Sequence, residues 1–138
     1  MKFKVTGGIL LLLIVIFFSC QNDGQLEFNR YYSGGSVIYL TRCANCHGTK
    51  GEGLQALIPP LTDSGYLKKN KNALACFLKK GLKGQININN KTFEGEMPAD
   101  SLAPIEIAKV LTYVTNSFGN KLGTINLQQV QGDLEKCK

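Results

Sequence analysis

Cys43, Ala44, Asn45, Cys46 and His47 are the residues of this chain best suited to chemistry. Two thiols three positions apart, followed at once by an imidazole, form the attachment signal of a c-type haem. On a single helical turn both sulfurs can add to the vinyl groups along one porphyrin edge, and the histidine then lies under the iron as an axial ligand. His47 is the only histidine in the chain, so no other imidazole can take that place. Two other uses of a Cys-x-x-Cys pair fit less well. A thioredoxin-like redox pair opens a helix after a buried strand, whereas Val37-Ile38-Tyr39-Leu40 lies in a stretch that reads as helix. A zinc site needs a second pair of ligands, and no further histidine or closely spaced cysteine pair exists. The chemistry expected is electron transfer through a covalently held haem.

An iron held by one histidine has a sixth position that is either open or filled by a second side chain. An open position suits oxygen or peroxide, and a filled one suits electron transfer. Met1 and Met97 are the only methionines, and Met97 stands in a polar loop between Gly95 and Pro98. A gap-filling methionine is the plain alternative, but such a loop gives it little core to fill. Met97 is therefore expected as the distal ligand, which raises the reduction potential.

Lys2 and Lys4 precede an apolar run from Ile9 to Phe18 that ends in Ser19-Cys20, the layout of a secretory signal over residues 1–19. The run is shorter than the roughly 20 apolar residues of a membrane-spanning helix. Cys20 sits where a bacterial lipoprotein carries its acylated cysteine, although Phe17 and Phe18 stand where that motif usually has leucine and a small residue. An ordinary cleaved signal with an incidental cysteine is the alternative. Either way the mature domain is expected to be exported, facing the periplasm, and anchored to a bacterial membrane if Cys20 carries lipid. The polar residues 20–33 read as a lipid-anchored tether with an end-to-end distance of roughly 20 Å, and residues 34–138 as one small domain.

The net charge is +6, and it is unevenly placed. Lys50, Lys68, Lys69, Lys71, Lys79, Lys80, Lys83 and Lys91 fall in a stretch whose only acids are Glu52 and Asp63. Such a basic face suits a redox protein with an acidic docking surface rather than nucleic acid; a merely solubilising surface is the alternative. Cys76 and Cys137 are left over from the haem and lipid assignments. In an oxidising compartment they can pair, or Cys76 can be a small buried residue and Cys137 a free thiol.

The apolar spacing of Val37, Leu40 and Ala44 predicts a short helix from Ser33 or Ser36 to Asn45. Gly48, Gly51, Gly53, Pro59 and Pro60 make residues 47–63 a loop. Leu74, Phe77 and Leu78 share a face of a second helix over 72–82. Alternation around Ile86 and Ile88, then Asn89-Asn90, predicts a small β-hairpin or extended loop before Met97. A last long helix is expected from a cap at Asp100 or Ser101 to about Phe118, with a further turn or two between Asn126 and Leu134.

Taken together, Cys43-Ala44-Asn45-Cys46-His47-Gly48, Gly51-Glu52-Gly53, Ile58-Pro59-Pro60-Leu61, Gly95-Glu96-Met97-Pro98 and the run Ile107 to Val114 resemble a class I, mitochondrial-type cytochrome c. More closely, they resemble small bacterial monohaem domains that occur alone or fused to copper nitrite reductases. The resemblance covers about residues 34–135. It implies an all-α, small cytochrome c fold, with three to five helices wrapped around one covalent haem and a short hairpin or loop before the distal methionine. It also implies thioethers at Cys43 and Cys46, iron bonds from His47 and Met97, and a hydrogen bond from the other imidazole nitrogen to the carbonyl of Pro59, with Pro60 as second choice. Gly35 and Tyr39 match the positions where the first helix crosses the last, against Val110 and Tyr113. The chain has no tryptophan, so the family residue that often bonds a haem propionate is replaced by Tyr66, Lys83 or a backbone group.

The function expected is that of a membrane-tethered, non-enzymatic carrier of single electrons between respiratory complexes, or to a periplasmic reductase or oxidase. A haem sensor or enzyme with an open distal site, and a fixed cytochrome subunit of a dehydrogenase complex, are the alternatives.

Overall fold

The computed structural model describes residues 23–137. The signal segment and the proposed lipid site Cys20 lie outside the described residues. Helix α1 spans Asp23–Ile38 and runs through a π-helical turn, Tyr39–Cys43, into the short helix α2, Ala44–His47. Helices α3 (Ser64–Lys69) and α4 (Leu74–Lys80) follow, then strands β1 (Ile86–Ile88) and β2 (Lys91–Phe93), and finally helices α5 (Pro104–Val114) and α6 (Leu127–Leu134). The fold is the expected one: mostly helical, with five described helices of six or more residues and a two-stranded hairpin.

The first helix begins ten residues earlier than its spacing suggested, and this corrects the tether. Residues 23–33 are helical: Phe28 stacks on Tyr32 one turn along, while Tyr31 and Tyr32 find partners on other elements. Tyr32 lies 5.1 Å, ring to ring, from Tyr113 on α5, and its hydroxyl is 3.0 Å from that of Ser117. The two helices cross at Gly35, where any Cβ would overlap the Lys109 carbonyl. Only glycine permits that approach. The π turn carries the chain into the attachment segment with the Ala44 N–H bonded back to Tyr39, a local widening that recurs at functional positions.

Helix α3 was not anticipated. Asp63, read as the end of a loop, caps it by accepting from the backbone N–H groups of Gly65 and Tyr66 at 2.9 and 3.1 Å. The hairpin forms as expected, with Ile86 opposite Phe93 and Ile88 opposite Lys91. Asn89 and Asn90 both have positive φ, 50° and 60°, the two-residue turn whose twist matches the strands. Neither Asp100 nor Ser101 caps the last long helix. It starts at Pro104, whose missing N–H costs nothing there, while Glu106 accepts from the Ala103 N–H at 2.8 Å. It ends at Val114 rather than near Phe118.

Ile107, Ala108, Val110, Leu111 and Val114 of α5 are buried, with Tyr39, Leu67, Leu74, Ile125 and Val130 packed around them. Cys76 on α4 is disulfide-bonded to Cys137, which settles the open question of the two leftover thiols and pins the chain's end beyond α6 against α4.

Candidate functional site

Val110, Leu111 and Val114 of α5 line an apolar pocket that is partly open to solvent. Its other walls come from Leu74, Phe77 and Leu78 of α4, from Ile86 and Ile88 of the hairpin, and from the loop Pro59-Pro60-Leu61. No charged side chain is among its lining residues. The few groups able to do more than pack are Cys43, His47, Met97, Tyr39 and Tyr66. A second hollow shares His47 and Met97 and reaches Cys46 and Leu57.

His47 closes α2, with Nδ1 3.2 Å from the carbonyl oxygen of Pro59. Pro60 lines the pocket without taking that contact. With Nδ1 engaged as a donor, Nε2 is the nitrogen left to act as a base or a ligand. Burial pushes the imidazole's pKa down, against the opposing pull of the Pro59 carbonyl, so the neutral, ligand-competent form is favoured. The loop bearing Pro59 is fastened from outside: Gly53 N–H donates to the His47 carbonyl at 2.8 Å, and Asn120 Nδ2 to that of Leu61 at 2.8 Å.

Met97 is held by a two-way backbone bridge with Leu82, each N–H donating to the other's carbonyl at 2.9 Å. Gly81, at φ +79°, sits directly under the Met97 carbonyl, where a Cβ would collide with it. This backbone clamp fixes where the thioether can go. Cys43 ends the π turn and is partly buried, while Cys46 is exposed. Burial pushes the Cys43 thiol up to about 11; the Asp100 carboxylate and Cys46 add to this, and Arg42 opposes it.

Cys43, His47, Pro59, Pro60 and Met97 thus converge on one apolar hollow, with Cys46 on the adjoining one that shares His47 and Met97, and together they suit a flat hydrophobic macrocycle with one imidazole base and two thiols at its edge. Of the two side chains named for a propionate, Tyr66 lines the pocket, and Lys83 pairs with Glu96 at 2.8 Å. Sequence reasoning missed Asn120, the Leu82–Met97 bridge and the Tyr39 hydroxyl contact to Gly48. A buried asparagine past a helix and two backbone amides leave no pattern in a linear chain.

Comparison with known proteins agrees with the geometry. The cytochrome c family profile matches residues 32–117. Two curated relatives, both cytochrome c-552 of Thermus thermophilus, are 31% identical over 93 residues. The match covers 62% of this chain, and 69% and 61% of theirs. The profile takes in the attachment segment, the pocket loops, Met97 and the last long helix, and the chain belongs to the cytochrome c family, whose members hold haem c covalently and transfer electrons.

Proposed function

We propose that this protein carries single electrons on one c-type haem, with thioethers to Cys43 and Cys46 and axial bonds from His47 and Met97. The observation that carries this reading is the His47 Nδ1 contact to Pro59 on the wall of an apolar pocket that Met97 also lines. When bound, the haem supplies a one-electron couple. The chain's own part is to hold the imidazole at one orientation, fasten the methionine loop through Leu82, and keep water from the ring faces with Leu74, Leu78, Val110 and Leu111. A ligand set fixed in this way needs little rearrangement between oxidation states. An open-site sensor or enzyme has less support, since no charged or distal imidazole donor lines the pocket.

The protein is further proposed to be exported and held at a membrane surface by lipid on Cys20. Among the described residues no helix is long and apolar enough to cross a membrane. Cys20 stands three positions before Asp23, the first described residue of a helix packed on the domain, so the domain would ride close to the bilayer. Lys68 and Lys69 are exposed on α3, and Lys69 lines a shallow hollow together with Tyr66 of the pocket. These lysines suit docking with an acidic redox partner. Respiratory complexes, or a periplasmic reductase or oxidase, are proposed as the partners it exchanges electrons with.

The test is mass spectrometry of exported protein together with its visible spectrum. The peptide spanning residues 43–47 should carry one haem mass, and the ferric protein should show the weak far-red band of a sulfur–iron bond. A colourless product with an unmodified peptide overturns the reading. Reduction by an acidic partner should slow as salt is raised, and a salt-independent rate argues against the lysine face.

A further inference from the structure

Arg42 Nη1 and Asp100 Oδ1 are 3.6 Å apart, an ion pair just beyond hydrogen-bond reach. Arg42 immediately precedes Cys43. Asp100 follows Met97 by three residues, and its N–H donates to the Leu78 carbonyl at 2.8 Å. Cys43, Leu78 and Met97 all line the pocket, so the carboxylate stands behind the wall that these three build.

The two charges are not equally placed. The Asp100 side chain is 22% exposed, with its Oδ1 buried and accepting no hydrogen bond, whereas the Arg42 side chain is 54% exposed. A charge shielded from water acts over distance more strongly than one bathed in it. A buried carboxylate oxygen without a donor also costs stability, so its presence calls for a reason other than holding the fold together. The other described ion pair, Lys83–Glu96, is exposed on both sides and has no such asymmetry.

We propose that Asp100 tunes the electron affinity of the iron site, its carboxylate favouring the oxidised state and the Arg42 guanidinium partly offsetting that effect. The pair acts in this way only with haem bound as proposed above. Oxidation adds one positive charge at the iron, and a negative charge that is less screened by solvent than its partner stabilises that state. Removing the carboxylate raises the midpoint potential. Removing the guanidinium lowers it by a smaller amount, because that charge is already screened by solvent.

The experiment is a spectroelectrochemical titration of the full-length holoprotein and of D100N, R42Q and R42K. At the parent's midpoint, D100N should be several-fold more reduced and R42Q more oxidised, where a tenfold change in the ratio corresponds to about 59 mV. R42K should stay near the parent, and the far-red ferric band should persist throughout. A purely structural role for the pair would loosen the Met97 loop in D100N and R42Q alike, lowering both potentials and fading the band. That result, or no shift in either variant, overturns the inference. If D100N does not accumulate, R42Q decides by the sign of its shift with the band retained. A parent without haem or without the band sinks the reading of the site itself, and this inference with it, before any variant is compared.

Discussion

The Tyr39 hydroxyl donates to the carbonyl oxygen of Gly48 at 2.6 Å, joining the first residue of the π turn to the residue just after His47. The attachment segment is therefore closed on itself by one side chain. That side chain is fully buried, and its ring lies 5.4 Å from Tyr113 and 5.2 Å from Phe118. Packing and hydrogen bonding can be separated at this position.

Tyr39→Phe keeps the ring and leaves the Gly48 carbonyl without its donor. The expected cost is about 1–2 kcal/mol, read as a lower denaturation midpoint with haem content unchanged. Tyr39→Ala removes the ring as well and should cost roughly 3–5 kcal/mol. Equal losses in the two variants would show that the hydroxyl accounts for the whole effect and the ring for none of it.

Met97→Ala removes the thioether while leaving the backbone bridge to Leu82 in place. The ferric far-red band should vanish, the potential should fall, and the reduced protein should bind carbon monoxide readily. An unchanged spectrum would remove Met97 from the iron.

Acid should weaken the fold through His47. Burial depresses the imidazole's pKa from its ordinary value of 6.5, so the unfolded chain binds the proton more readily than the folded one. Stability contributed this way is complete above about 6.5 and is lost as pH falls through the folded value. Iron ligation works in the same direction, because only the neutral ring can bind metal. The urea midpoint should be lower at pH 5.5 than at pH 7.5. A midpoint that is flat or rises on acidification would contradict the proposed burial of the ring.

The Cys76–Cys137 bond spans 61 residues. Replacing both cysteines by serine should cost about 3 kcal/mol, measured by urea unfolding against the oxidised parent, with the visible spectrum unaltered. A change in the far-red band would mean instead that α6 and the chain's end hold the pocket in shape.

The attachment segment, Met97 and the Asn89-Asn90 turn could be identified from the linear chain because each depends on neighbours in sequence. Vinyl addition requires thiols one turn apart, and a two-residue hairpin requires residues that tolerate positive φ. Helix α4 declared itself through the spacing of Leu74, Phe77 and Leu78. The first turns of α1 did not, because Tyr31 and Tyr32 sit among polar residues and gain their meaning only from Leu127, Tyr113 and Ser117, more than eighty residues away. Helix α3, two turns long and mostly polar, depends on the Asp63 cap rather than on an apolar stripe.

Sequence alone thus determined which groups are proposed to hold a haem, since covalent reach and ligand chemistry are local properties. Only the tertiary structure decided how those groups are held: Pro59 rather than Pro60 against His47, Leu82 bridged to Met97, Cys76 to Cys137, and a half-buried Asp100 beside a more solvated Arg42. Each of these depends on which distant segments the core brings into contact, and burial and screening exist only after the chain has packed.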